Sequence, residues 1–339
     1  MMKEITEGGE LLDGKGLITQ KGWSKRALLD YSREDVPLWR RLFRLKEWDT
    51  CVVGDGSVRL MITIADGGYA GVVSATVVDL ERGTEHTSSR LIPFTFGSME
   101  LPRSLDGGDI MFRAKGVSLD ISRSPGRRYV RFRMEDFDDV RPLYVNISME
   151  QQQGDDLYTS VGYPEMVGGF CITCRRQAMP AEGTVVYGAD RYELSQGNSF
   201  ADIYWGRGVL PRRSARVWMM ASGLVDGRRV SICTGEDAGF VCVDGTGSRI
   251  ETVSVQGLSN MREKGDIALP IGFRGADHSM ELSLEGTQCH RDDRQLFSLL
   301  GIERRLVFGV CSGKVRLEDG SMLQIDGLNA VLCDIEALW

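Results

Sequence analysis

The chain is a long succession of short β-type segments joined by glycine-containing turns. Val58–Ile64 and Gly71–Leu80 are rich in β-branched residues and are separated by the turn Asp66–Gly68. Val117–Ser122 and Tyr129–Met134 alternate apolar and polar residues, which is typical of half-buried strands. The 41 glycines, against 9 prolines, supply the turns that such an arrangement needs. The pattern predicts an all-β fold.

Helical periodicity is confined to two stretches, Arg33–Leu45 and Asp292–Ile302. The second has a capping aspartate at its start, an apolar face and Gly301 near its end, which are the usual signals of a helix. We therefore predict few helices, all of them short.

A weak internal repeat indicates two similar halves. The segment Gly183–Leu194 resembles Gly313–Ile325, and Trp48–Gly56 resembles Trp218–Gly227, in the same order along the chain. A chain of 339 residues is long enough for two domains, and each half has about the length of a small closed barrel. The sequence predicts two tandem lipocalin-like (calycin) antiparallel β-barrels, over residues 1–200, which include an N-terminal extension, and 201–339.

Charge and hydropathy exclude several classes of protein. The net charge of −7 argues against a nucleic-acid partner, because the phosphate backbone needs a basic surface. No run approaches the roughly 18 apolar residues of a membrane span, and the first ten residues lack the apolar core of a secretory signal. We expect a cytoplasmic protein without a membrane span. The oligomeric state is left open by the sequence.

Neither metal nor organic cofactor is expected. The eight cysteines lie mostly in apolar strand-like runs, and Cys171 and Cys174 would point to opposite faces of a strand. The histidines His86, His278 and His290 are too far apart in sequence to form a ligand pair. Of these, His86 alone is a candidate general acid or base. No nucleotide-binding loop is present.

The segment Asp202–Gly208 has the densest mixture of ring, charge and flexible backbone in the chain. On a strand, Asp202 and Tyr204 share one face, while Trp205 and Arg207 share the other. One interpretation is a pocket in which Asp202 is a proton donor, its pKa raised by an apolar cavity. The other is structural, with an aspartate–arginine pair and Trp205 closing the bottom of a barrel.

Other candidates come from both halves of the chain. Glu47 is either a pocket acid or a residue of a solvated face, and Trp48 beside it is a candidate ligand contact. Asp66 precedes two glycines, so a turn position competes with a binding role. Arginines can bind a carboxylate or polar head group. The remaining candidate ligand contacts are Arg103, Arg176 and Trp218.

Several of these stretches resemble a bacterial and fungal family known as a domain of unknown function. They cover almost the whole chain and include Met179–Val185, Asp202–Val209, Gly22–Arg26, Lys46–Asp49, Glu85–Thr87 and Trp339. That family is similar to tandem lipocalin-like proteins, among them hydroxyneurosporene synthase, a carotenoid hydratase, and the attachment-gene proteins. The matching positions are Gly183–Val185, Asp202 and Trp205–Gly206, whereas Asn198 and Ser199 stand where the wider group often has an acid or histidine.

Three functional hypotheses follow. The first is binding of a hydrophobic or amphipathic small molecule in a lipocalin-like cavity. The second is a cofactor-independent hydratase, isomerase or cyclase, in which Asp202 or Glu47 protonates a lipophilic substrate and Trp205 or Trp48 stabilises the cation. The third is a structural or interaction protein without a pocket.

Overall fold

The computed structural model describes residues 2–151, 153–235, 238–264, 267–296 and 300–339. They form two compact units. The N-terminal unit comprises residues 2–77 and 86–211, and the C-terminal unit comprises residues 78–85 and 212–339. Whether the halves fold as separate domains divided after residue 200 stays a prediction; the strand Phe200–Val209 belongs to the N-terminal unit.

Strands account for most of the described chain, so the all-β prediction is confirmed. The first fifteen are β1 (Gly9–Glu10), β2 (Gly22–Ser24), β3 (Leu29–Asp30), β4 (Leu45–Gly54), β5 (Val58–Asp66), β6 (Ala70–Asp79), β7 (Thr84–Pro93), β8 (Ile110–Ala114), β9 (Val117–Ser124), β10 (Arg127–Met134), β11 (Leu143–Glu150), β12 (Leu157–Gly162), β13 (Phe170–Tyr187), β14 (Asp190–Leu194) and β15 (Phe200–Val209). The others are β16 (Arg213–Val225), β17 (Arg228–Thr234), β18 (Ala238–Val243), β19 (Thr246–Glu251), β20 (Val253–Gln256), β21 (Ile271–Gly275), β22 (Met280–Leu296), β23 (Leu300–Arg316) and β24 (Met322–Leu338).

The sheet of the N-terminal unit curls around an apolar core. Its main strand order is β7-β6-β5-β4-β15-β13-β11-β10-β9-β8, and β2, β12 and β14 are attached to it. Strand β13 makes the curl possible because its register shifts between Arg176 and Met179. Before the shift β13 pairs with β12, and after it β13 pairs with β11 and β14. The alternating side chains of β9 and β10 bury one face, as the sequence predicted.

The C-terminal unit repeats this plan with fewer strands. Its sheet has the order β19-β18-β17-β16-β24-β23-β22-β21-β20, and every neighbouring pair that the structure registers is antiparallel. It encloses a second core of apolar residues that include Phe273, Leu284 and Leu332. Two curled antiparallel sheets thus form tandem barrel-like units, which confirms the predicted fold class.

The two repeated segments share a glycine with a positive φ angle that lies against the backbone of the neighbouring strand. Gly183 in β13 and Gly313 in β23 have φ angles of 135° and 141°. A Cβ atom at Gly183 would overlap the carbonyl of Asn146, and one at Gly313 would overlap the carbonyl of Glu281. Each glycine therefore lets two strand backbones approach closely where a long strand bends.

Gly183→Ala should lower the free energy of unfolding by about 2–3 kcal/mol, because the methyl group meets backbone atoms that cannot move independently. Gly126→Ala is the matched control, since Gly126 also has a positive φ, 74°, but has open space around its Cβ position. Gly126→Ala should lower the free energy of unfolding by about 1 kcal/mol. Urea unfolding followed by circular dichroism measures both; equal costs would show that the close approach at Gly183 is not tight.

The helix predictions had mixed outcomes. The stretch Arg33–Leu45 contains a 3-10 helix, Arg33–Asp35, and the helix α1, Leu38–Phe43. The helix predicted over Asp292–Ile302 is wrong, because β22 and β23 pair there as a hairpin; residues 297–299 lie outside the described residues. Long-range pairing overrides local periodicity at this place.

A further helix, α2 (Leu258–Lys264), was not predicted. In the part of the chain that the structure describes, none of the helices has the length and apolar character needed to cross a membrane.

Candidate functional site

A cavity of about 690 Å³ lies in the N-terminal unit. Its inner wall is apolar and aromatic and comes from the barrel strands and the N-terminal segment: Leu12, Leu29, Tyr31, Tyr158, Ile172 and Trp205. Its outer part is polar and carries more acids than bases: Glu10, Asp13, Asp30, Asp35 and Arg103. An apolar interior with a few placed polar groups is the usual form of a small-molecule site.

A buried carboxyl group stands behind the inner wall. The Tyr31 hydroxyl donates a hydrogen bond of 2.8 Å to Glu47 Oε1. Arg33 donates one of 2.8 Å to Glu47 Oε2, and Arg207 Nε lies 3.7 Å from Oε1. Burial raises the pKa of the Glu47 carboxyl, and the charges of Arg207 and Arg33 oppose that shift. Burial and the adjacent Glu47 also raise the pKa of the Tyr31 hydroxyl.

Arg207 fixes this arrangement from inside the barrel. Its side chain is fully buried and donates to the carbonyls of Trp48, Gly206 and Pro102, and to Asp49 Oδ2 at 2.8 Å. The guanidinium carbon lies 4.6 Å from the ring centre of Trp205. Arg207 therefore holds the Trp205 ring against the cavity and anchors the loop that leads to Arg103.

A second charged cluster lies on the same interior side. Arg128 Nη2 is 3.9 Å from Asp49 Oδ1, and burial together with the charge of Arg123 lowers the pKa of Arg128 to about 10. Arg176 contacts Asp156 at 2.8 Å and Asp106 at 2.5 Å. These ion pairs neutralise charges that the barrel encloses. The charge of Arg176 is therefore balanced by Asp106 and Asp156, and it needs no ligand.

The structure brings four of the predicted site residues together. Trp205 and Arg103 line the cavity, and Glu47 and Arg207 lie directly behind its wall. Tyr31 was not predicted, although it links Glu47 to the cavity. It lies in the irregular N-terminal segment, where neither strand alternation nor a motif marks it.

Three predicted residues lie on the opposite face of β4 and β15. Trp48 packs edge-on against Tyr204, with ring centres 5.8 Å apart, and Arg175 stacks on Tyr204. Asp202 accepts a hydrogen bond of 2.9 Å from the backbone N–H of Ala178. None of Trp48, Tyr204 and Asp202 is among the residues that line the cavity. Their catalytic and binding roles stay predictions.

The remaining candidates lie elsewhere. Asp66 accepts hydrogen bonds from Gly68 N and Thr95 Oγ1, so it organises a turn. The His86 ring nitrogen Nε2 lies 2.9 Å from the Phe137 carbonyl oxygen, and the ring packs edge-on against the Phe137 ring. Trp218 is buried in β16 of the C-terminal unit. Within the described residues, no group of three or more histidine, cysteine or acidic side chains is placed to hold a metal ion.

The family model for a domain of unknown function, DUF2804, matches residues 2–339. The chain belongs to this family. This confirms the resemblance seen in the sequence. No curated protein matches the chain.

Solved structures with the same fold are distant in sequence. An AttH protein from Nitrosomonas europaea superposes with a TM-score of 0.52 at 11% identity, covering 86% of this DUF2804 chain and 92% of the other. Kievitone hydratase from Nectria haematococca superposes with a TM-score of 0.50 at 9% identity, covering 98% of each chain. These likenesses establish the tandem barrel-like fold.

Proposed function

We propose that the N-terminal unit binds a small amphipathic molecule in its cavity. The proposal rests on the cavity of about 690 Å³, with its apolar inner wall and the Tyr31 hydroxyl held by Glu47. Trp205 lines the same wall, and among the described residues its buried indole N–H has no hydrogen-bond partner. A ligand with an apolar body, an acceptor for the Trp205 N–H and a donor for the Tyr31 oxygen suits both groups.

The charges at the outer end narrow the ligand class. Four acidic side chains and one arginine line that part of the cavity. Arg103 is already paired with Glu34 at 2.8 Å. A ligand that is neutral or cationic at its outer end therefore fits better than a fatty acid or another anion.

Ile172→Trp should narrow the inner end of the cavity and weaken binding, because the larger ring takes up space that the ligand would occupy. Native mass spectrometry of the gently purified protein measures the bound molecule, and Nile red titration measures the capacity of the cavity. Val140→Trp is the matched control, since Val140 is 84% exposed and is not among the cavity residues. We expect at least a tenfold loss of dye affinity for Ile172→Trp alone. Equal dye binding by both variants would contradict the proposal and favour a protein without a functional pocket.

A second candidate function is acid catalysis on the bound molecule, and the Tyr31–Glu47 contact favours it. The Glu47 carboxyl, whose pKa burial raises, would pass a proton to the Tyr31 oxygen while the Tyr31 hydroxyl protonates an alkene or carbonyl, and the face of Trp205 would stabilise the cation that forms. Water would then add to the cation, and its proton would return through Tyr31 to Glu47. Kievitone hydratase shares the fold and is a hydratase by name, which agrees with this class of reaction.

Tyr31→Phe and Glu47→Gln should slow turnover of the molecule that copurifies by about 100-fold or more, and leave its binding within about threefold. Asp202→Asn is the control for the assignment made from the sequence. If Asp202→Asn removes turnover and Tyr31→Phe does not, the acid is Asp202 and the proposed site is wrong. Turnover is followed by mass spectrometry of the extracted product.

A further inference from the structure

The N-terminal unit presents an exposed apolar surface that its cavity does not use. It is formed by Leu38, Trp39 and Phe43 of α1 and by Phe94 and Phe96, which follow β7; we call it the aromatic patch. The exposed fractions are 57% for Trp39, 51% for Phe43 and 72% for Phe94. The Phe96 ring contacts both the Phe43 ring, at 5.6 Å, and the Phe94 ring, at 6.1 Å. The two segments therefore form one continuous surface.

The backbone of residues 94–96 holds these rings outward. Phe94 and Phe96 have φ angles of 56° and 45°, which bulky residues rarely adopt. Their N–H groups donate to the carbonyls of Tyr69 and Gly68. Thr95 between them is buried, and its hydroxyl donates to Asp66 at 2.7 Å. A strained turn that buries a threonine and exposes two phenylalanines points to a functional surface.

Arginines cluster in and just after the helix that carries the patch, although the protein carries a net charge of −7. Residues 36–46 contain the half-buried Arg40, Arg41 and Arg44 and no acid, whereas Lys46 is buried, which lowers its pKa to about 7. Residues 91–97 contain no charged side chain. Arg40 stacks on Trp39 at 5.2 Å, so a cation lies directly beside an exposed ring.

We infer that the aromatic patch docks on an anionic lipid surface. Exposed aromatic rings insert at the boundary between head groups and acyl chains, and flanking arginines attract anionic head groups. A protein partner would also cover the rings, but the run of basic residues on an acidic protein favours a negatively charged surface. The inference goes beyond the proposed function and stands whether or not the cavity holds a ligand.

The patch also lies next to the proposed site. Arg33 donates a hydrogen bond to the carbonyl of Gly97, which directly follows Phe96 of the aromatic patch. It donates another to the Glu47 carboxylate, which holds Tyr31. One arginine thus joins the loop that carries Phe94 and Phe96 to the group that holds the cavity tyrosine. A lipophilic ligand could enter the protein from the surface on which the patch is docked.

Vesicle sedimentation with the full chain tests the inference. The probes are vesicles of phosphatidylcholine alone and vesicles with 30 mol% phosphatidylserine, at about 0.1 M salt. We expect at least tenfold stronger partitioning to the anionic vesicles, weakened at 0.5 M salt because the charge is screened. Phe94→Ser and the double variant Arg40→Glu, Arg41→Glu should each lower it about tenfold or more.

Val140→Ser and Arg212→Glu are the matched controls, because both residues are exposed and lie outside the patch. They should bind as the unchanged protein does. Equal partitioning to both vesicle types, or none to either, would overturn the inference. If sedimentation velocity shows a dimer that Phe94→Ser dissociates, the patch belongs to a second copy of the chain and the lipid assignment is wrong.

Discussion

Arg207→Leu should lower the free energy of unfolding by about 3–5 kcal/mol, because it leaves a buried aspartate without its cation. Arg207 is fully buried, and Asp49 and Glu47 are nearly so. Asp49 loses its hydrogen bond of 2.8 Å, and its ion pair with Arg128, at 3.9 Å, is much longer. Three backbone carbonyls lose their donor at the same time. Urea unfolding at pH 7, followed by circular dichroism, gives the value.

Two variants make the result specific to the buried charge. Arg212→Leu changes an exposed arginine and should stay within about 0.5 kcal/mol of the unchanged protein. Adding Asp49→Asn to Arg207→Leu removes the uncompensated charge and should restore part of the loss. A loss below about 1 kcal/mol in Arg207→Leu would mean that Asp49 does not need this cation.

Strand and turn chemistry made the fold predictable from the sequence. The turns at Asp226-Gly227 and Asp244-Gly245 have positive φ at both residues, as aspartate–glycine hairpin turns require. The alternation in β9 and β10 gave both the strands and their buried faces. The repeat that contains Gly183 and Gly313 indicated two similar halves, and these glycines lie in the two long strands that bend. All of these signals can be read from one sequence.

The site was only partly predictable. Alternation along β15 placed Trp205 and Arg207 on one face and Asp202 on the other, and the structure agrees. The acid that pairs with Arg207 is Asp49 of the neighbouring strand, a contact across 158 residues that no local pattern shows. Tyr31 reaches the cavity through an irregular segment whose path depends on tertiary contacts. Sequence alone thus predicted the face of β15 on which Trp205 lies, but it did not find Tyr31.

Alkaline pH should destabilise the protein through its buried thiols, Cys51, Cys311 and Cys333 among them. Burial raises the pKa of Cys51, Cys311 and Cys333 to about 12, from about 9 in an unfolded chain. Because the folded pKa is the higher one, the stability that each thiol contributes is complete below pH 9 and is lost as the pH rises towards 12. At pH 11 each thiol therefore costs roughly 2–3 kcal/mol, and the three together cost roughly 8 kcal/mol.

Alanine variants isolate this effect from other groups that titrate in the same range. Cys333→Ala should be about 1–2 kcal/mol less stable than the unchanged protein at pH 8, because it leaves a small cavity. At pH 11 Cys333→Ala should be the more stable of the two proteins, because it lacks the thiol whose ionisation favours the unfolded chain. The measurement is urea unfolding under reducing conditions at both pH values, and the triple alanine variant should enlarge the reversal.

Val307→Ala is the control for a cavity without a thiol, since Val307 is fully buried in the same unit as Cys333. Its loss of stability should be the same at pH 8 and pH 11. If Cys333→Ala behaves like Val307→Ala, with no reversal of the order, then the thiol titrates in the folded protein near its ordinary pKa. The strand that carries it, β24, would then have to open to solvent far more readily than its complete burial implies.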